Sequence, residues 1–436
     1  MQWDYRLDIG GLTDVGMRRS NNQDSFRILV APSPEQWRSR GHIFVVADGM
    51  GAHAVGELAS KMAVDSIPHS YHKLTNLSCA QAIRKAVEDA NSSIHSRGAA
   101  NREFEGMGTT STALLLLPEG ALVAHVGDSR AYRIRNGLIE QLSFDHSLAW
   151  ELVRRKQLTF DQARSMVPTN VITRSLGPEP MVEVDVEGPH KVQPGDVFVL
   201  CSDGLSGLVS DAEIGLMTGS LPAQEACQNL VDMANLRGGP DNITVIVVRV
   251  EDPAKSDSSH LSARTEARPT TPRDYPTWCV LLGMLGLGVC FTLQIGATFW
   301  LKSPNSISIA GPLAIGLAGL TSISAGVVCK RLQRQPLVEE TSATRETPQR
   351  APTPCALDKA SLSRFASRLN QLRATAVELA WTVEWAQFFA HRHAADKSLA
   401  EGNPTAALSE FCKSQHLLAI GQRRHLEQTH SLLGGG

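Results

Sequence analysis

The chain has 436 residues, a formal net charge of −2, 42% hydrophobic and 20% charged residues. That length holds one large domain with appendages or two domains, and the near-neutral balance excludes a broadly basic nucleic-acid-binding surface. The eight cysteines are scattered; with no CxxC pair and no zinc spacing they read as small apolar residues in a reducing compartment.

Taken in chain order, "MQWDYRLDIGG" carries charges where a cleavable signal needs an apolar core. From there to about residue 252 the texture is mixed and globular. "RILVAP", "HIFVVA", "STALLLLP", "ALVAHVGDS", "DVFVLCSD" and "NITVIVVRV" read as strands. "CAQAIRKAVEDANSSIHSR" and "SLAWELVRRKQL" read as amphipathic helices. Pro118-Glu119-Gly120 and Asn136-Gly137 sit between apolar runs as hairpin turns. Hairpins in series favour antiparallel sheets, and the helices between them suggest layers of helix over sheet.

Residues 253–277 are polar, with Pro and Ser and no apolar period, and read as a flexible linker. Residues 278–301 and 306–329 are uncharged, each long enough to cross ~30 Å of hydrocarbon as a helix. Arg264, Arg268 and Arg273 precede this hairpin, and Lys330, Arg331 and Arg334 follow it, so the positive-inside rule places both long ends in the cytoplasm. A second linker occupies 330–354, and 355–436 reads as a small all-α cytoplasmic tail. There Leu362, Phe365, Leu369, Leu372, Ala376, Leu379, Val383 and Ala386 alternate spacings of three and four, a heptad stripe. Intramolecular packing of tail helices is favoured over an intermolecular zipper, since Asn403-Pro404 restarts a helix close by.

The chemistry gathers where strands end. "ADGMGAHAVGE" follows an apolar run, so Asp48 closes a strand and Gly49 and Gly51 let backbone approach a small charged object, a phosphate or a metal. Asp128, Asp203 and Asp241 also lie at strand ends, and "RRSNNQDS" adds Arg19, Asn22 and Asp24. Singly, each Asp is a turn residue or cap. Together, acids without His or Cys partners favour hard cations, Mg²⁺ or Mn²⁺, over zinc. No cysteine lies in a nucleophile setting; Cys201 sits in an apolar strand.

"TDVGMRRSNNQDS", "VADGMGAHAVGE", "GMGTTSTALLL", "AHVGDSRAYRIRNG", "LCSDGLSGLVSD" and "GGPDNITVIVV" occur in this order between residues 7 and 250. They resemble the successive motifs of the bacterial metal-dependent serine/threonine protein phosphatases of the PPM type (type 2C). "DHSLAWELVRRKQLTFDQARSMVPTNVITRSLG" resembles the flap beside that family's active site. The resemblance covers neither the apolar hairpin nor the tail. It implies an α+β fold, a four-layer αββα sandwich of two antiparallel sheets flanked by helices, here followed by two transmembrane helices and the all-α tail.

The resemblance also implies roles. Asp48 would bridge two Mn²⁺ or Mg²⁺ ions, with the Gly49 carbonyl on the second and Asp203 and Asp241 on the first. Asp128, with Asp203, matches a third, weaker site. Arg19 matches the arginine that grips the substrate phosphate, and Asp24 an acid that orients the attacking water. His53 is the nearest match to the proposed general acid, with a structural cap beside Glu57 as the alternative. Gln23 and Ala52 depart from the usual Glu and Gly without removing a ligand.

The expected activity is hydrolysis of phosphoserine and phosphothreonine in proteins by a two-metal-activated water, opposing a Ser/Thr kinase at the cytoplasmic membrane face. The tail is a candidate site for a protein partner, and no nucleic-acid partner is expected. Two alternatives stand beside this: a phosphoprotein-binding scaffold with little turnover, and a two-metal hydrolase of small phosphate esters.

Overall fold

A computed structural model describes residues 7–51, 54–159, 162–163, 166–168, 171–251 and 351–433. The chain divides into two compact units, Met1–His260 with Thr347–Gly436, and Leu261–Glu346. The second unit, and with it the apolar stretches 278–301 and 306–329, lies outside the described residues, as does His53. Among the described residues no helix is long and apolar enough to cross a membrane.

The strands are β1 (Leu7–Asp14), β2 (Asp24–Leu29), β3 (His42–Met50), β4 (Gly108–Thr109), β5 (Ser111–Leu117), β6 (Gly120–Val126), β7 (Arg130–Arg135), β8 (Leu138–Gln141), β9 (Asp185–His190), β10 (Val197–Cys201), β11 (Ile243–Val250) and β12 (Thr353–Pro354). One antiparallel sheet has the order β1-β11-β10-β7-β8-β12 and the other β2-β3-β5-β6-β9, with β4 beside the end of β3. Between the sheets lies a core of alternate residues: Phe44 and Val46, Leu114 and Leu116, Phe198 and Leu200, Ile246 and Val248. The intervening residues face outward yet are equally buried, because helices cover both outer faces. Ile43, Val45 and Ala47 meet helices α2 (Ala54–Lys73) and α3 (Cys79–Ala100). Val197, Val199, Val245 and Val247 meet α6 (Asp211–Ser220) and α7 (Ala223–Leu236). Both faces being covered is why these strands read as continuous apolar runs rather than as alternating ones.

The turns follow their sequences. Asn136 and Gly137 both have positive φ, 53° and 73°, as a two-residue type I′ hairpin requires. Helix α3 is closed at its start by a Ser78–Gln81 capping box. Among the described residues, α1 (Pro34–Arg40), α4 (Leu148–Arg154) and α5 (Asp203–Ser206) are further short helices.

The tail forms α8 (Lys359–Glu378), α9 (Trp385–Ala400) and α10 (Pro404–Leu433). Asn403 caps α10, accepting from the Ala406 amide at 3.1 Å. The heptad stripe holds through Leu362, Phe365, Leu369 and Ala376, all buried. It then breaks: Leu379 is exposed and Ala380 adopts φ 54°. These apolar residues share one cluster with Ile214, Met217 and Leu230 of α6 and α7. The tail therefore docks on the helices over the first sheet, and β12 pairs with β8 at that sheet's edge, Thr353 opposite Ile139.

Candidate functional site

β3 carries Asp48 past the body of its sheet, and the cross-strand register sets Asp24 of β2 directly opposite. The Asp48 backbone is clamped on its other side. Its amide donates to Thr110 Oγ1 at 2.9 Å, and its carbonyl accepts from the Thr110 amide and Thr109 Oγ1, each at 2.8 Å. Gly49 is required by close approach: a Cβ there would lie 2.1 Å from the Gly56 carbonyl oxygen and 2.6 Å from that of Gln23. From the other sheet, Asp203 begins α5 with only Ser202 between it and β10, and Asp241 precedes β11 with only Asn242 between them. Gly204 lets these two segments touch, since its Cβ would fall 2.0 Å from the Asn242 carbonyl oxygen. Asp128 follows β6. The four strand-end acids and Asp24 thus come from both sheets to one rim of the sandwich.

Their mutual influence shows that they are close. Burial, then the charges of Asp24, Asp203, Asp128 and Asp241, hold the Asp48 carboxyl well above the usual carboxylate range. Burial pushes Asp24 up to about 7, opposed by the Ser202 hydrogen bond and reinforced by Asp203. Burial and the Asp203 charge raise Asp128 to about 8 against the pull of Arg130. Asp203 is raised by burial and by Asp241. Among the described residues no three His, Cys, Asp or Glu side chains already close on one point as a finished ligand shell. Instead the crowded carboxyls of Asp24, Asp48, Asp128 and Asp203 hold their protons above the usual carboxylate range. Asp24 Oδ1 and Asp128 Oδ1 are buried with no hydrogen-bond partner. Crowded oxygen donors with unsatisfied lone pairs fit hard divalent cations, whose charge would take the place of those protons.

Arg19 reaches this rim. Its Nη2 donates to Asp241 Oδ2 at 2.9 Å while the side chain stays 51% exposed. Of the residues expected from sequence, Arg19, Asp24, Asp48, Gly49, Asp128, Asp203 and Asp241 all lie in this region.

The supporting groups were not legible beforehand. Asn242 accepts from the Gln23 amide at 2.8 Å and donates to the Val15 and Asn21 carbonyls, each at 2.9 Å, so it pins the loop that carries Arg19. Ser202 donates to Asp24 Oδ2 at 2.7 Å and accepts from the Thr244 amide at 2.9 Å. Gly127, next to Asp128, is gripped by two histidines: His146 Nδ1 accepts from its amide at 3.0 Å, and its carbonyl meets His125 Nε2 at 2.9 Å. Burial drives His125 down to about 3, so it is neutral. His146 is tied in turn to Asp185 at 3.0 Å, and Asp185 to Arg174 at 2.9 Å. "PDN" and "DHS" were the available signals, but a polar residue beside a catalytic-looking acid does not declare which backbone groups it will hold.

The protein phosphatase 2C family profile matches residues 17–222. A protein phosphatase 2C-type protein of Streptococcus pyogenes is 38% identical over 245 residues, 55% of this chain and 96% of its own length. The chain belongs to the protein phosphatase 2C family. It is a protein phosphatase, and its two antiparallel sheets with flanking helices are the family's fold. The crystal structure of a Mycobacterium tuberculosis serine/threonine phosphatase is similar at 32% identity, TM-score 0.51, covering 56% of this chain and 99% of that one. That of an S. agalactiae serine/threonine phosphatase is similar at 36% identity, TM-score 0.50, covering 56% and 100%. The phosphatase 2C portion thus matches whole relatives, and the docked tail lies beyond it.

Proposed function

We propose that the chain hydrolyses phosphoserine and phosphothreonine in proteins, opposing a Ser/Thr kinase at the cytoplasmic face of a membrane. The observation that carries the chemistry is the Arg19–Asp241 contact, a half-exposed guanidinium at the mouth of a buried carboxylate cluster. Family membership and the serine/threonine phosphatases among its relatives support the substrate class.

Asp48, Asp203, Asp241, Asp128 and the Gly49 carbonyl would hold Mn²⁺ or Mg²⁺, the cations of this family. Bound there, such ions supply Lewis-acid charge that acidifies water and offsets negative charge developing on the phosphoryl oxygens. The chain's own groups do the rest. Arg19 presents a planar fork suited to two phosphate oxygens. Asp24, fixed by Ser202 through one oxygen, keeps the other for a hydrogen bond from the attacking water. A serine alkoxide leaves poorly without a proton, and His53 is the residue proposed to donate it.

The test is turnover of a phosphothreonine peptide by the full chain. Mn²⁺ should support it, excess chelator should abolish it, and Asp241→Ala should remove it while far-ultraviolet circular dichroism stays unchanged. A folded, Mn²⁺-loaded chain with no turnover would instead make this a phosphoprotein-binding module.

The membrane placement is supported by the uncharged stretches 278–301 and 306–329 and their basic flanks. The full chain should pellet with membranes and resist carbonate extraction; recovery in the supernatant would refute the hairpin.

A further inference from the structure

We infer that Arg423 of α10 is a positioning residue for the loop that carries Arg19, so that the C-terminal helix steadies the phosphate-binding group from outside the phosphatase 2C fold. This rests on the reading of Arg19 as the phosphate-binding residue.

The path is short. Asp14 is the last residue of β1 and the root of the loop that runs to Asp24. Arg423 Nη2 donates to both of its oxygens, each at 2.8 Å. Asp14 Oδ1 also accepts from the Gly16 amide at 2.8 Å and from Asn235 Nδ2 at 3.1 Å. The Asp14 carboxylate is therefore the point where the tail, helix α7 and the start of the Arg19 loop meet.

From Gly16 the loop lies against the Asp241 segment. Gly16 has φ +81°, and a Cβ there would fall 2.2 Å from the Asp241 carbonyl oxygen, so the turn cannot shift toward it. The next residue, Met17, donates its amide to the Gly239 carbonyl at 2.8 Å. Two residues later Arg19 reaches Asp241 Oδ2. A change in how Asp14 is held thus bears on the turn that aims Arg19.

The Asp14 side chain is only 17% exposed. Without Arg423 its charge would rest on two neutral donors in a partly buried place, where a carboxylate is costly to leave uncompensated. The cation comes from a part of the chain that the relatives do not share. The M. tuberculosis enzyme is matched over 99% of its length by 56% of this chain, and α10 lies beyond the 17–222 match to the family.

The experiment compares full-length wild type, Arg423→Gln, Arg423→Lys, Arg19→Ala and the Arg19→Ala/Arg423→Gln double variant on a phosphothreonine peptide with Mn²⁺. With the cation 42% exposed, the pair predicts a KM raised about two- to fivefold in Arg423→Gln, with kcat nearly unchanged. Arg423→Lys should recover most of the loss. In the Arg19→Ala background Arg423→Gln should add nothing, because the group it positions is gone.

Amide hydrogen exchange supplies a readout independent of turnover: residues 15–22 should exchange faster in Arg423→Gln than in wild type. An unchanged KM, or an effect of equal size without Arg19, would overturn the inference, as would unaltered exchange over that loop. If the wild-type chain turns over no phosphopeptide, the proposed function has failed, and the exchange comparison still decides whether Arg423 holds the loop.

Discussion

Asp48 sits among like charges, and the sign of that arrangement can be tested. Without cations, Asp24 and Asp128 hold their protons to about 7 and about 8, well above the roughly 3.9 of an Asp in an unfolded chain. The folded state then binds more protons than the unfolded state between pH ~4 and ~8. The associated stability is full below about pH 4 and is lost as pH rises through that window. Cations that bind only the folded state restore it. The chelated chain should therefore melt at a lower temperature at pH 8 than at pH 5, and Mn²⁺ should raise the melting temperature more at pH 8. Asp48→Asn replaces this raised carboxyl at nearly constant shape. It should abolish turnover yet raise the melting temperature of the chelated chain at pH 8; a lower value than wild type would refute the repulsion. The acids themselves were legible because each directly follows or precedes an apolar strand in the sequence. Their clamps, Thr109, Thr110 and Ser202, were not, because a hydroxyl's partner is set by tertiary register.

The loop joining β1 to β2 shows the same limit in an element. It has no regular structure of its own over residues 15–23, and Asn242 ties it down through the Gln23 amide and the Val15 and Asn21 carbonyls. Asn242 is buried, and Asn242→Ala removes all three of these hydrogen bonds at once. The expected cost is about 2–3 kcal/mol in urea unfolding, with a loss of turnover from a loosened Arg19. A change below about 0.5 kcal/mol would mean that water replaces the amide freely. Strands β3, β5, β10 and β11 were readable as apolar runs, whereas β1 was not. Its "LDIGGLTD" carries Gly10 and Gly11, poor strand formers. Gly10 is there because α7 crosses it so closely that a Cβ would meet the Ala223 and Gln224 backbone at 2.6 Å. A close crossing erases the local signal of the strand that permits it. The tail stripe was legible in part: its spacing and its packing within the tail were right, as Phe365 against Phe411 shows, but Ala380 turns the chain and the same cluster runs on into the phosphatase portion.

At the scale of the molecule, the relatives matched over nearly their whole length correspond to little more than half of this chain, while the tail here is a further layer on that shared fold. Phe411, Leu408 and Cys412 of α10 are fully buried in the cluster that includes Leu230 and Met217. Polar contacts line the same seam: Ser409 to Glu225 at 2.6 Å, His416 to Asp232 at 2.8 Å, and Arg368 to Glu213. A chain ending at residue 252 would uncover Leu216, Met217 and Met233 on α6 and α7. Each such side chain, when fully buried, contributes about 1.5–3 kcal/mol. At about 2–4 °C per kcal/mol for a domain of this size, the truncated chain should melt on the order of 10 °C lower and self-associate. If it stays monodisperse with an unchanged melting temperature, the tail seam contributes nothing to stability. No periodicity could reveal this docking, since residues 251–358 separate β11 from α8 and a stripe of leucines does not name its partner. The consequence is physical as well as interpretive. Because one seam joins the tail to the helices behind the first sheet, any force or ligand that lifts the tail acts on the stability of the catalytic fold, not on a detachable appendage.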